Sequence, residues 1–372
     1  MNTFRAAFFR ELTLIRSSRP LLAAVTILPA LSLLLIAAML SRGALGDLPI
    51  AIVDASHSPA SRSLASDIVA QGGLVIAAAP ATESEADALL RSGDIWAYAV
   101  IPETLGDTAL GADPVRIDVN ATYLSVGSIV ERKMRRAVLG AFAQEVQDQV
   151  SRSGLAVDGD DLPGIQVNLL FNPQSSLEFY LEALIQPAIL QLMAACVGVF
   201  VVVSEMREGS LARWVAETGG GIAAWAGKFL PYLAILSWWG AMWMIWLVGF
   251  REWRMEGSLL FAMLAQATLI AASLTLSGAI AALTRQSGIA FSASALYAGS
   301  ALAYSGGSLP IEGSAAPVVW WSEALPFTHY LRIQMDQFLG SPIGVDLADL
   351  ALLLAYFAAG LGLCLFATRD AA

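Results

Sequence analysis

LLAAVTILPALSLLLIAAML, residues 21–40, is an isolated apolar run, about as long as the ~20 residues a helix needs to cross a bilayer. What surrounds it decides the fold. From about Gly43 to Leu177 the chain is mostly water-compatible, and from Leu181 apolar stretches dominate to the end. One span, a domain-sized excursion and a block of further spans place a folded domain on one side of a membrane, held by helices at both its ends. Composition agrees: of 372 residues 57% are hydrophobic and 14% charged, with a mean hydropathy of +0.64. That is too apolar for an ordinary soluble domain and too charged for a uniform helical bundle. The formal charge of -10 forms no basic face, so no nucleic-acid partner is expected. Cys196 and Cys364 sit inside apolar runs and read as small packing residues.

No small-residue cleavage pattern closes the first run cleanly, so it is predicted to stay as a helix over residues 21–42, preceded by an amphipathic segment, residues 1–20. Arg5, Arg10, Arg16 and Arg19 precede it and only Arg42 follows closely. Positive charge favours the cytosolic side, which puts the N-terminus in the cytosol and residues 43–177 outside.

Within the excursion, Leu48–Asp54, Leu74–Ala78, Ile95–Ile101 and Val115–Asn120 read as strands. Between and after them Ala60–Ala70, Ser84–Arg91 and Val126–Ser151 read as helices, and Ile165–Phe171 as a last strand. Alternation of this kind predicts an α/β domain around a mixed sheet. Five further spans are predicted at Leu181–Val203, Phe229–Phe250, Leu259–Leu283, Ile289–Tyr304 and Leu347–Phe366. Six spans return the C-terminus to the cytosol. Arg207, Arg213, Lys228, Arg285 and Arg369 fall on that side, whereas Arg251 and Arg254 oppose the trend.

The most specific local signal is SEMREGSLARWVAETGG, residues 204–220, inside a cytosolic loop predicted over 204–228. Glu205, Arg207 and Glu208 form a charge cluster, Gly209 and Ser210 start a helix, and Leu211, Trp214 and Val215 follow at helical spacing, with Arg213 among them. A short amphipathic helix along the cytosolic surface would offer an apolar ridge and charges to a docked partner. A solvated loop whose charges only anchor topology fits the residue types equally well. Glu178, Glu182 and Gln186 share one helical face at the start of the second span, where they would line a substrate pathway or sit in headgroup water. The segment 305–345 carries Trp320, Trp321, His329, Arg332 and Asp336 and is predicted to form an outer re-entrant or amphipathic helix over Leu325–Leu339. His329, with no second histidine nearby, reads as a hydrogen-bonded structural residue before a titrating one.

Three stretches carry a family resemblance. They are Glu205–Arg213 with Gly227, Lys228, Pro231 and Tyr232; Phe327–Arg332; and Leu48–Ser58. Taken in order along essentially the whole chain, they resemble permeases of the ABC-2 type, most of all bacterial exporters with a large outer domain between spans one and two. Trp214–Gly221 departs from the proline-containing turn usual there. The resemblance implies that residues 205–213 couple to separate cytosolic ATPase subunits, which would bind ATP and Mg. It implies a second permease copy or paralogue, membrane lipids around the spans, and residence in the bacterial inner membrane with both termini cytosolic. A periplasmic adaptor and an outer-membrane duct are further partners of that class. Glu178, Glu182, Gln186, His329 and Arg332 become candidates for the substrate pathway or outer gate.

No cofactor is expected in this chain. GGGIAAWAGKF, residues 219–229, is not a phosphate-binding loop, because five residues separate Gly221 from Gly227 where four are needed and Phe229 replaces the Mg-binding hydroxyl. No G-x-S-x-G, CxxC or HExxH pattern appears, so neither an active site nor a metal centre is predicted. The competing class is a non-transporting membrane receptor or scaffold that presents the outer domain. A lipid-modifying enzyme would have only Glu178, Glu182, His329 and Asp336 to work with.

Overall fold

The computed structural model describes residues 3–40, 47–104, 114–120, 124–152, 177–207, 211–311 and 313–368. The predicted strand at Ile165–Phe171 lies outside them. Two compact units make up the chain, one of residues 42–170 and one of residues 1–41 with 171–372.

In the smaller unit the order is β1 (Leu48–Asp54), α4 (Pro59–Ala70), β2 (Leu74–Ala78), α5 (Glu83–Ser92), β3 (Ala97–Ile101), β4 (Arg116–Val119) and α6 (Leu124–Arg152). The sheet runs β2-β1-β3-β4. β1 pairs parallel with β2 and β3, and β4 closes antiparallel on β3. Stepping first to β2 and then back across to β3 sends two right-handed crossovers to opposite faces. Accordingly α4 and α6 cover one face through Leu64, Ile68, Val130 and Met134. Ala86 and its neighbours on α5 cover the other, over Ala51, Val53 and Tyr98. Sandwiched on both sides, β1 is the near-continuous apolar run LPIAIVD instead of an alternating one. Its end is stapled to α4 by Asp54, whose carboxylate accepts from the Ser56 and His57 amides and from the Ser61 hydroxyl.

The larger unit is helical: α1 (Thr3–Ser17), α2 (Arg19–Val25), α3 (Ile27–Leu40), α7 (Leu177–Arg207), α8 (Leu211–Thr218), α9 (Ile222–Gly249), α10 (Leu259–Thr284), α11 (Ser287–Tyr304), α12 (Ala316–Glu323), α13 (Pro326–Leu339) and α14 (Ile343–Thr368). Five segments are long and apolar enough to cross a membrane: Arg19–Leu40, Glu178–Met206, Ile222–Gly249, Leu259–Thr284 and Ile343–Ala367. The remaining predicted span, at Ile289–Tyr304, corresponds to α11, a helix of 18 residues that is not among the five. α10 is the hub, packed against α7, α9, α11, α13 and α14. Small residues let it be so. A Cβ on Gly198 of α7 would meet the Leu274 carbonyl at 2.3 Å, and one on Gly360 of α14 would meet Leu276 N at 2.7 Å.

Prolines shape two of the spans. Residues 21–40, read from sequence as one run, break at Thr26 between α2 and α3. Pro29 has no N–H to give the Val25 carbonyl one turn back, and that carbonyl instead accepts from Trp239 Nε1 at 3.2 Å. Likewise Pro187 leaves the Ala183 carbonyl free, and Gln334 Nε2 donates to it at 2.6 Å. Each freed acceptor thus becomes a cross-link between helices.

Candidate functional site

Glu205 lies near the end of α7, 3% exposed, and it is the hub of a buried ion network. Lys228, 1% exposed on α9, reaches Glu205 Oε1 at 2.8 Å and Glu11 Oε1 at 2.5 Å, Glu11 being 2% exposed on α1. Arg10 grips Glu205 with both nitrogens, at 2.6 and 3.0 Å. Tyr232, one turn along α9 from Lys228, donates its hydroxyl to Glu11 Oε2 at 3.0 Å. Two carboxylates therefore face one ammonium and one guanidinium, and the cluster is neutral as a whole. Such closure is what makes burial tolerable, since an ion left alone there would forfeit several kcal/mol of solvation. Burial opposes the charge on Arg10, yet the Glu205 carboxylate holds its pKa above the usual arginine value.

Backbone geometry puts these groups within reach. At Gly227 a Cβ would meet the Phe4 carbonyl at 2.6 Å and Ala7 Cβ at 3.1 Å, so α1 lies directly on the start of α9. Trp214 of α8 caps the network, with Lys228 Nζ 5.1 Å from its ring centroid and the Trp225 ring 5.0 Å away. One cluster thereby joins α1, α7, α8 and α9.

This arrangement corrects the predicted orientation of the 204–220 segment. Helix α8 forms, but its apolar ridge turns inward: Trp214 and Val215 are buried against Val202, Trp225 and Phe229. Burial against that core outweighs exposing a ridge to water. Exposed on α8 instead are Arg213, Ala216 and Glu217. Glu205 likewise points into the protein and not outward with Arg213. Arg207 ends α7, Leu211 begins α8, and Glu208, Gly209 and Ser210 lie outside the described residues.

At the other end of α7, Glu178, Glu182 and Gln186 do form a column. Arg251 of the α9–α10 connection grips Glu178 through both carboxylate oxygens, Nε donating at 2.6 Å. That bond holds the Arg251 guanidinium above its usual value and accounts for a cation opposing the charge trend of the loops. Gln186 Oε1 accepts from Gln266 Nε2 at 3.0 Å. Between them Glu182 is 0% exposed, and among the described residues neither of its oxygens has a hydrogen-bond partner. The column is enclosed by helices, not open to headgroup water.

His329 and Arg332 stand on α13. His329 Nδ1 lies 2.6 Å from Asp349 Oδ1 and Nε2 lies 3.0 Å from the Glu323 carbonyl, so both ring nitrogens are engaged. Arg332 makes a two-pronged pair with Glu323 and comes within 3.8 Å of Asp349. Among the described residues no group of three or more histidine, cysteine or acidic side chains could hold a metal ion.

Sequence reasoning passed over Glu11, used Arg10 only as a charge that sets topology, and valued Lys228 only as such a charge and, with Tyr232, as part of a resemblance. A usable signal existed. Lys228 interrupts an apolar run and Glu11 is the single acid in an arginine-rich segment, so each demands an opposite charge if its helix is buried.

Compared with known proteins, the chain matches the sequence model of one family, described as ABC-2 family transporter protein, over residues 19–366. No curated protein matches it.

Proposed function

The chain belongs to the ABC-2 family of transporter proteins, whose permeases are membrane components and not themselves catalytic, and from that premise we propose that it is the spanning subunit of an ATP-driven exporter. Two permease copies would work with separate cytosolic ATPase subunits that bind ATP and Mg. In this reading α11 is a sixth span, the α/β unit stands outside the inner membrane, and both termini are cytosolic. The arginines of the N-terminal segment and of the α7–α9 connection support that orientation. Cargo would be hydrophobic or amphipathic.

The observation that carries the reading is the neutral network at the base of α8. A loop fixed only by its own backbone would give way when a partner pushes it. Here Glu205, Lys228 and Trp214 tie α8 to α7 and α9 through buried contacts, and Glu11 with Arg10 extends the tie to α1. Displacement of α8 by an ATPase subunit would therefore move whole helices. Exposed Arg213 and Glu217 offer charges for docking, with Arg207 and Glu208 beside them in sequence.

The test is the assembled complex in vesicles, with a fluorescent amphiphile as cargo. Glu205→Gln should lower transport per ATP hydrolysed while hydrolysis and membrane insertion persist. Unchanged transport per ATP would overturn the coupling role. Arg213→Glu should instead weaken co-purification with the ATPase.

A further inference from the structure

Glu182 stands near the start of the α7 span, between Glu178 and Gln186 on one helical face, and it is fully buried. Its neighbours on that face are already engaged. Arg251 spends its guanidinium on both oxygens of Glu178, and Gln186 Oε1 accepts from Gln266 Nε2 of α10. Neither oxygen of Glu182 has a hydrogen-bond partner among the described residues. Packing around this part of α7 is close: a Cβ on Gly240 of α9 would run into Gln266 Oε1, and one on Gly307, after α11, would meet Leu184 Cδ2 at 2.5 Å.

No neighbouring charge is left to relieve it. Of the elements packed against α7, α3, α10 and α11 carry no charged residue, and α9 brings only Lys228, which is held by Glu11 and Glu205. Arg213 and Glu217 of α8 lie beside the opposite end of α7. Helix α13 meets this turn through Gln334, which donates to the Ala183 carbonyl; His329 is bonded to Asp349, Arg332 is paired with Glu323, and Asp336 is itself an acid. In the α9–α10 connection Arg254 is paired with Glu256, and exposed Glu252 is a further acid. Buried tyrosines are engaged elsewhere, Tyr232 with Glu11, Tyr297 with Ser277 and Tyr330 with Gln334. An ionised carboxylate enclosed in this way would forfeit its solvation without compensation, and taking up a proton removes the charge. A metal ion would ask for several oxygens at once, whereas a proton asks for one.

We propose that Glu182 is a proton-binding site within the span region, loaded in this conformation, and that Arg251 is the competitor that empties it. Glu178 and Glu182 are one helical turn apart, and the Arg251 side chain is 34% exposed. A shift of the guanidinium one turn along α7 would let it bridge both carboxylates, while the proton of Glu182 leaves to water on the Arg251 side. Proton occupancy and the inward position of Arg251 therefore exclude each other, and proton concentration on that side biases how α7 meets the α9–α10 connection. The site takes its purpose from the exporter reading, as a control on outward transport. It is testable with neither ATPase nor cargo present, so either can fail alone.

The experiment takes the full chain in nanodiscs of phosphatidylglycerol and reads the infrared carbonyl stretch of protonated carboxyl groups at neutral pH. Glu182→Gln should remove one such band. Glu178→Gln should remove it as well, although Glu182 is still there, because Arg251 is then free to turn inward; adding Arg251→Gln to that variant should restore it. A second readout is stability in detergent. Folding that takes up a proton at Glu182, above the usual carboxylate range of about 4, makes the chain less stable as pH rises towards neutrality, by up to about tenfold in the folding equilibrium per pH unit, and Glu182→Gln should lack that component. A band unchanged in Glu182→Gln, or one lost when sodium replaces choline at fixed pH, overturns the site. A band that survives Glu178→Gln overturns Arg251 as the competitor.

Discussion

At the Glu205 end of α7 every carboxylate of the network meets a cation, whereas among the described residues around Glu182 and Asp346 some carboxyl oxygens meet no partner. The same helical unit treats buried charge in two ways. Around Lys228 four charges and a tyrosine hydroxyl satisfy one another, and the cost of burial is offset within the cluster. At Glu182 and at Asp346 Oδ1 the carboxyl oxygens have no hydrogen-bond partner among the described residues, which leaves that cost standing. Closed networks behave as joints, because any single loss strands a charge. Open ones behave as places where a further group, even a proton, is still to be accommodated.

The sharpest way to break this comparison is Lys228→Met. It leaves Glu11 and Glu205 facing each other, and about 3–5 kcal/mol of stability should be lost, read as a fall in the unfolding midpoint of the detergent-solubilised chain. Adding Glu11→Gln should return part of it; if Lys228→Met alone is neutral, the joint is no joint. Next in size is Gly227→Val, which drives side-chain atoms into the Phe4 carbonyl and Ala7 and should cost about 1–3 kcal/mol by lifting α1 from α9. Protease clipping of α1 would report the lifted helix.

Glu182→Gln should act in the opposite sense. Removing a buried carboxyl without partners is expected to be neutral or to stabilise by about 1 kcal/mol, and a clear loss in the same unfolding assay would show that the column is closed after all. The α/β unit offers a pH-dependent test. Burial, together with a hydrogen bond to Asp87, pushes the Tyr98 hydroxyl up to about 12. A raised folded value means stability present below the unfolded value near 10 and lost as pH rises towards 12, at roughly 1 kcal/mol per pH unit. Hydrogen exchange at β1 and β3 in the full chain should accelerate across that window, and Tyr98→Phe should flatten the dependence.

How much of this was legible in the sequence follows from the range of each interaction. Spans and strands are written locally, in runs such as residues 21–40 and LPIAIVD, so most of them could be read directly. The break at Thr26 was less evident, because Pro29 signals a freed carbonyl but not the Trp239 side chain that fills it. Helix α8 was visible from the spacing of Leu211, Trp214 and Val215, yet periodicity fixes only that one face is apolar and not what covers it. The partners of Glu205 lay out of sight altogether: Arg10 is 195 residues away in sequence, and Lys228 joins Glu11 across 217. Only an unpaired charge inside an apolar run announced that partners must exist.

In the proposed topology the Glu205 end of α7 faces the cytosol while the α/β unit stands outside. Single cysteines replacing Ser63 on α4, Arg254 in the α9–α10 connection and Ala216 on α8, each exposed, in a chain freed of Cys196 and Cys364, test it with a membrane-impermeant maleimide. Labelling at 63 and 254 in cells with a permeabilised outer membrane, and at 216 only after the inner membrane is opened, is the predicted result. Labelling of 63 and 216 from the same side would contradict the account.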